Sequence, residues 1–218
     1  MKDFSIAMAL VDYIPVILFF IASVILQRDL YNKMSKGAFA LFSAGTINIF
    51  AAGALKATYK LLYAAGICDF APLNDMFFPV QSIGFLLAGI GMLAMIFHKQ
   101  GNGIVALSVA PPLWKGTFLF VGLMVAGLGC MDAGLIILCN RLKKRSVIVL
   151  FVVSFICSMG MGYLSSQDFA QASMNWIAEG VNVVGQGCLL GGVWMLHKAG
   201  LAEYKIPRKI VGESKTSL

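Results

Sequence analysis

The sequence predicts an all-α integral membrane protein with seven transmembrane helices in a single polytopic membrane domain. The first observation behind this prediction is composition, since 59% of the residues are hydrophobic and 12% are charged, whereas a soluble domain is about 25% charged. The second is a set of apolar runs near 7–26, 38–55, 76–97, 117–138, 147–163 and 176–196. Most of these runs are long enough to cross a hydrocarbon core of about 30 Å as helices.

The third observation is an internal repeat that divides the chain into two halves. Residues 69–101 and 168–200 both begin with Asp-Phe-Ala, continue through a glycine-rich apolar stretch and end on His-Lys-x-Gly. We therefore expect repeat 1 over about 5–101, a linker helix over about 102–115, repeat 2 over about 116–200 and a basic tail over 201–218. Repeats of this kind in a membrane chain commonly frame a central pathway or pocket.

The first apolar run predicts a transmembrane helix rather than a signal peptide. It is longer than a usual signal-peptide core, it contains Asp12 and Pro15, and no convincing Ala-x-Ala cleavage site follows it.

The basic residues predict the orientation and the number of crossings. Most of the 17 Lys and Arg residues follow the first, third and fourth apolar runs or lie in the tail, and such blocks stay in the cytoplasm. This places the N-terminus outside and the C-terminus inside a plasma (inner) membrane. Lys99 and the Arg141 block share a side only if the chain crosses twice between them. The extra crossing falls around 103–114, where twelve helical residues rise only about 18 Å and Pro111-Pro112 limit the helix further.

The resulting order is three helices, a linker helix and three helices in the same orientation (3+1+3). It resembles the plan of the SWEET sugar uniporters and of the wider seven-helix set that includes microbial rhodopsins. The likeness covers the whole chain and is architectural. The Pro-Gln pair of a SWEET repeat is absent, because Val16 follows Pro15, and residues 174–196 contain no lysine that could hold a retinal.

Ionisable residues inside the apolar runs are candidate site residues, because charges in a membrane are costly. At about 1.5 Å per helical residue, Lys60 lies about 9 Å and Lys56 about 15 Å from the outer turn at Gly66. Asp12 and Glu179 lie at similar depths, so these four could share one layer. The two lysines are four residues apart and therefore on one helix face, with Tyr59 beside them. Either they extend to the outer interface, or they meet the two carboxylates or an anionic ligand.

Three further residues complete the predicted substrate site. Gln81 and Asn182 occupy equivalent positions in the two repeats, where paired amides would suit a neutral polar ligand; interhelical hydrogen bonding is the alternative. Trp176, near the mouth of its helix, is either a stacking platform or a residue of the interfacial aromatic belt.

Asp132, toward the cytoplasmic third of its helix, is a candidate for proton coupling or a protonated, hydrogen-bonded acid. His98 and His197 end equivalent helices, where a histidine commonly satisfies carbonyl groups. The glycines of 84–91 and 185–192 predict close helix packing. The five cysteines have no metal-ligand spacing, and no metal or cofactor is expected.

The leading functional prediction is a transporter or facilitator of a small polar or anionic solute, bound between the repeats in the outer half of the bundle. A seven-helix receptor, sensor or partner subunit is the alternative, and a membrane-embedded enzyme is the third, although no catalytic motif recommends it. The net charge of +7 is explained by topology, so the expected partners are the lipid bilayer and the solute rather than nucleic acid. The sequence leaves open whether the chain forms a homo-oligomer.

Overall fold

The computed structural model describes residues 5–97, 117–164 and 172–204, and these residues are helical with short connections. The helices are α1 (Ile6–Val11), α2 (Tyr13–Leu30), α3 (Lys36–Ala64), α4 (Pro72–Asp75), α5 (Phe77–Phe97), α6 (Thr117–Arg141), α7 (Ile148–Leu164) and α8 (Ala172–Lys198), with a 3-10 turn at Arg145–Val147. The all-α prediction is confirmed for this part of the chain.

Five helical segments are long and apolar enough to cross a membrane. Within the described residues they are Ile6–Leu30, Lys36–Ala64, Pro72–Phe97, Leu119–Arg141 and Arg145–Leu164. Helix α8 is 27 residues long but does not belong to this set, and its Glu179, Asn175, Asn182 and Gln186 dilute its apolar character. A membrane protein is therefore what the helices indicate, and five spans rather than seven are seen directly.

The six long helices form a closed ring in the order α2, α3, α5, α6, α7, α8, since each packs against the next and α8 returns to α2. Their directions follow from paired positions. Gln27 meets Thr46 while Tyr13 meets Thr58, so α2 and α3 are antiparallel. Near the starts of α2 and α8, Asp12 and Glu179 contact the same Lys60, and near their ends Asp29 contacts His197. Helices α2 and α8 are therefore parallel.

Helices α5 and α6 are also parallel, because Gly89 lies against Gly127 and Cys130 while Met92 lies against Gly134. The end of α5 and the start of α6 therefore lie at opposite ends of the bundle. The predicted linker helix at 103–114 falls outside the described residues, as do His98, Asp168 and the tail from 205 onward.

The two ends of the bundle differ in charge and packing. We call the end formed by residues 31–35, 142–147 and 199–204 the basic end, because Lys33, Lys143, Lys144 and Arg145 lie there. A cluster of buried hydrophobic side chains extends from the middle of the bundle into this half, where Leu30, Phe42, Leu138, Phe151 and Leu196 are fully buried. The opposite end contains the turn at 65–71, with Asp69.

A break between α1 and α2 turns Asp12 into the bundle. Pro15 has no N–H to donate to the carbonyl of Val11, so the regular helix is interrupted one turn before the proline. Asp12 lies at this interruption, between the end of α1 and the start of α2, and it is only 6% exposed.

Glycines allow close approach on both sides of α5. A Cβ on Gly91 would lie 2.7 Å from the backbone of Ala38 and Phe42 in α3, and a Cβ on Gly89 would lie 2.9 Å from Cys130 in α6. Gly185 and Gly192 approach α7 in the same way, whereas Gly187 has open space around it. The expected close packing therefore holds for most of the glycines, but not for Gly187.

Candidate functional site

All six long helices contribute to one cavity of about 360 Å³, which lies in the half of the bundle away from the basic end. The first three helices supply one part of its wall and the last three supply the rest. Its polar lining consists of Asp12, Lys56, Lys60, Gln81, Ser158, Tyr163, Glu179, Asn182 and Gln186.

Lys60 joins two carboxylates from different helices at the rim of this cavity. Its Nζ lies 2.5 Å from Asp12 Oδ2 and 3.2 Å from Glu179 Oε1, and the three side chains are 7–10% exposed. Each buried charge is thereby paired, as burial in a low-dielectric interior requires. The cluster also ties the break before α2 to both α3 and α8.

Lys56 lies one turn before Lys60 and has a different environment. Its ammonium is 4.0 Å from the centroid of the Phe77 ring, and it makes neither a salt bridge nor a hydrogen bond to a described residue. A cation over an aromatic face is stabilised by about 0.5–2 kcal/mol, which is a weak substitute for an anionic partner. Lys56 therefore lines the cavity without a salt-bridge partner among the described residues.

Several acceptor oxygens around the cavity also lack partners. Asp12 Oδ1, Gln81 Oε1, Glu179 Oε2 and Gln186 Oε1 are buried and accept no hydrogen bond from the described residues. An unpartnered buried acceptor costs about 1–3 kcal/mol, so four of them at one cavity indicate that the site is organised to receive hydrogen-bond donors.

The remaining wall is apolar and includes five phenylalanines. Phe19, Phe50, Phe77, Phe78 and Phe85 line it from the first three helices, and methionines and valines of α6 and α7 face them. A mostly apolar cavity with a few convergent polar groups is the usual form of a small-molecule site.

Six of the sequence-predicted site residues line this cavity: Asp12, Lys56, Lys60, Gln81, Glu179 and Asn182. Tyr59 and Trp176 do not. The Tyr59 hydroxyl donates to Asp69 Oδ1 at 3.1 Å, and Trp176 is 45% exposed on the outer surface of α8. Lys60 does not extend to the outer membrane interface, which was one of the two alternatives for the lysines. Its side chain is buried and contacts Asp12.

Asp132 lies apart from the main cavity. It lines a second cavity of about 210 Å³ between α6 and α7, otherwise formed by Gly129, Ala133, Ile136, Phe151, Val152 and Phe155. The residue is 3% exposed, and neither carboxyl oxygen has a hydrogen-bond partner among the described residues.

Sequence reasoning missed Gln186 and Phe77. Gln186 is seven residues after Glu179, and two helical turns return to nearly the same face, so this spacing was the available signal. In the sequence, Phe77 is one residue of an apolar run and carries no signal of its own. The structure places its ring under the Lys56 ammonium.

At the basic end, His197 links α8 to α2. Its Nδ1 lies 2.8 Å from Asp29 Oδ2, and its Nε2 lies 3.2 Å from Arg28 Nη2. Because arginine can only donate, Nε2 accepts and Nδ1–H donates to the carboxylate, which is the neutral tautomer. Nearby, Lys33 Nζ donates to Ala202 O at 2.6 Å, and burial lowers the pKa of Lys33. The imidazole thus contacts another helix rather than the carbonyl groups at the end of its own.

A comparison of the chain with protein-family models, with curated proteins and with solved structures finds no match. Among the described residues, no group of three or more His, Cys, Asp or Glu side chains is arranged to hold a metal ion.

Proposed function

We propose that this protein is a membrane transporter or facilitator of a small polar or anionic solute, which binds in the cavity lined by both halves of the bundle. The observation that carries the proposal is the content of that cavity. It holds the Lys56 ammonium, the Asp12–Lys60–Glu179 cluster and amide oxygens that have no partner among the described residues, all within mostly apolar walls. Charged groups within a membrane domain are costly and are commonly kept for substrate pathways.

The helix directions favour the seven-helix 3+1+3 arrangement as the framework of transport. Helices α2, α3 and α5 run in the same directions as α6, α7 and α8, and α5 ends at the basic end while α6 begins at the opposite one. Residues 98–116 would therefore supply the additional crossing. Such parallel repeats meet at a central site and rock against each other in alternating access.

The contrast between the two ends supports the same mechanism. The cavity lies in one half, whereas the packed core and the contacts of His197 and Lys33 hold the basic end together. Access from the basic end would require α2 and α8 to separate there, while the Lys60 cluster holds them at the other end. With the N-terminus outside, the cavity would face the outside of the plasma membrane.

The decisive experiment is solute flux into liposomes that contain this protein alone, with a panel of sugars, amino acids and organic anions. Lys56→Met and Glu179→Gln should lower the flux at least tenfold, while Lys36→Met, which removes an exposed lysine from the same helix, should leave it unchanged. Binding without flux would instead indicate a receptor or sensor, and conversion of the solute would indicate an enzyme.

A further inference from the structure

Resting on the proposed function, we infer that the cavity takes an apolar carboxylic acid that also carries an N–H or O–H donor. Three parts of the cavity specify the three parts of such a ligand: Lys56 its carboxylate, the amide oxygens of Gln81 and Gln186 its donor, and the aromatic wall its apolar body.

The carboxylate is assigned to Lys56 rather than to Lys60. Both lysines line the cavity, but Lys60 already contacts the carboxylates of Asp12 and Glu179. Lys56 makes no salt bridge to a described residue, and its Nζ lies over the ring of Phe77. A ligand carboxylate there would gain a charge-assisted hydrogen bond, which is about twice as strong as a neutral one.

The donor is assigned from the unpartnered oxygens. Gln81 lies one helical turn after Phe77, and so on the same face of α5 as the ring beneath Lys56. Gln186 extends into the cavity from α8, and the Oε1 atoms of both amides are buried without a partner among the described residues. Glu179 Oε2 is in the same state, and it would accept from a ligand ammonium.

The apolar body follows from the walls and the volume. Most of the lining is apolar, including Phe50, Phe78 and Phe85, so the many hydroxyl groups of a sugar would outnumber the polar partners that the cavity provides. A dianion would bring a second negative charge toward Asp12 and Glu179, and Lys60, the other lysine among the described lining residues, already contacts those two carboxylates. A cavity of about 360 Å³ is at the small end of ligand sites, which suits an acid with a short branched or aromatic side chain.

Four compounds with the same branched side chain test the assignment. They are 2-amino-4-methylpentanoate, 2-hydroxy-4-methylpentanoate, 4-methylpentanoate (no donor on C2) and 3-methylbutylamine (no carboxylate). Binding is measured by calorimetry on the purified full chain in detergent. We expect at least one of the two donor-bearing acids to bind about tenfold more tightly than 4-methylpentanoate, and the amine not to bind. Which donor-bearing acid binds better identifies an amino acid or a hydroxy acid as the class.

Variants tie each ligand group to its residue. Lys56→Met should abolish binding of both acids, Lys56→Arg should retain it, and Lys36→Met should bind like the parent. Gln186→Leu should remove the advantage of the donor-bearing acid over 4-methylpentanoate while leaving the latter's affinity within about twofold. Because Lys56→Arg keeps the charge, it separates a lost carboxylate contact from a misfolded variant.

The inference is overturned if none of the acids binds, if 3-methylbutylamine binds as well as they do, or if Lys56→Met leaves affinity unchanged. Its failure is distinct from failure of the transport proposal. Flux of a different solute with no binding of these acids would reject the ligand class alone. Tight binding of one acid without flux would reject transport and keep the ligand class.

Discussion

At the residue scale, the central feature is a single ammonium shared by two buried carboxylates. The Asp12 and Glu179 side chains are 7% and 9% exposed and both contact Lys60. The cost of removing three charges from water offsets much of their mutual attraction, so the cluster adds little net stability to the fold. Removing the cation alone, however, would leave two buried carboxylates without a counter-charge.

Replacement of Lys60 by methionine should therefore lower the free energy of unfolding by about 3–5 kcal/mol, because it leaves two uncompensated carboxylates in the bundle. Thermal unfolding in detergent measures the effect. Adding Glu179→Gln to this variant should restore part of the loss, whereas Lys36→Met should stay within about 0.5 kcal/mol of the parent. A Lys60→Met protein as stable as the parent would show that Lys60 does not contact Asp12 and Glu179 in solution.

Asp132 allows a second prediction, which follows from its proposed role in proton coupling. Its carboxyl group lies in an apolar cavity without a hydrogen-bond partner among the described residues, so Asp132→Asn removes an exchangeable proton and little else. In liposomes, an imposed proton gradient should stimulate uptake by the parent but not by Asp132→Asn, while solute affinity is unchanged. Equal stimulation of both would assign Asp132 a purely structural role.

The tautomer at His197 gives a third prediction. The Asn amide nitrogen can replace Nδ1 as donor to Asp29, whereas the Gln amide reproduces the position of Nε2. His197→Asn should therefore be more stable than His197→Gln in a thermal unfolding assay, by about 1.5–3 kcal/mol, the contribution of a hydrogen bond to a charged group. The reverse order would mean that the Arg28 contact dominates.

The residue scale also shows what the sequence could and could not predict. Depth counting along each helix places Asp12, Lys60 and Glu179 in one layer, because helix rise is fixed, and in the structure Lys60 contacts both carboxylates. It could not select partners, since which face of a helix turns inward depends on its neighbours. For that reason Tyr59 was grouped with the lysines although its hydroxyl turns to Asp69, and the contact between Asp29 and His197 was not anticipated.

At the element scale, close packing of α5 against α3 and α6 holds the middle of the ring together. The sequence identified the glycines of α5 because they are dense there. It did not single out Gly45 in α3 or Gly127 in α6, although other small residues adjoin both of them. The structure shows that both lie directly against the backbone of α5, at Ala88 and Phe85 respectively.

Gly127→Ala should therefore destabilise the protein by about 1–3 kcal/mol, because the new methyl group meets backbone atoms that no rotamer change can move. Gly122→Ala, in the same helix, is the matched control: nothing lies within 4 Å of its Cβ position, and alanine favours helix by up to about 1 kcal/mol. Chemical or thermal unfolding in detergent should order the proteins Gly122→Ala, parent, Gly127→Ala. Equal stability of the two variants would contradict the close contact.

At the scale of the whole molecule, the directions of the helices in the ring agree with the topology that the blocks of basic residues and the helix count predict. Basic residues cluster at one end, where four helices of one direction end: α2, α5, α6 and α8. The parity argument required two crossings between Lys99 and Arg141, and the parallel packing of α5 and α6 agrees with it. Ring order could not be predicted, because it depends on which helix faces are complementary.

The proposal that residues 98–116 cross the membrane can be tested by thiol labelling in intact cells that express the protein. Cys68 is exposed at the end opposite the basic end, so a membrane-impermeant maleimide should label it from outside, and Cys68→Ser should abolish that signal. In the Cys68→Ser background, Thr117→Cys should be labelled in intact cells, whereas Phe97→Cys and Asn32→Cys should be labelled only after permeabilisation. The reason is that the end of α5 and the start of α6 lie at opposite ends of the bundle. If Phe97→Cys and Thr117→Cys were labelled from the same side, the intervening segment would not cross, and the seven-helix arrangement would be wrong.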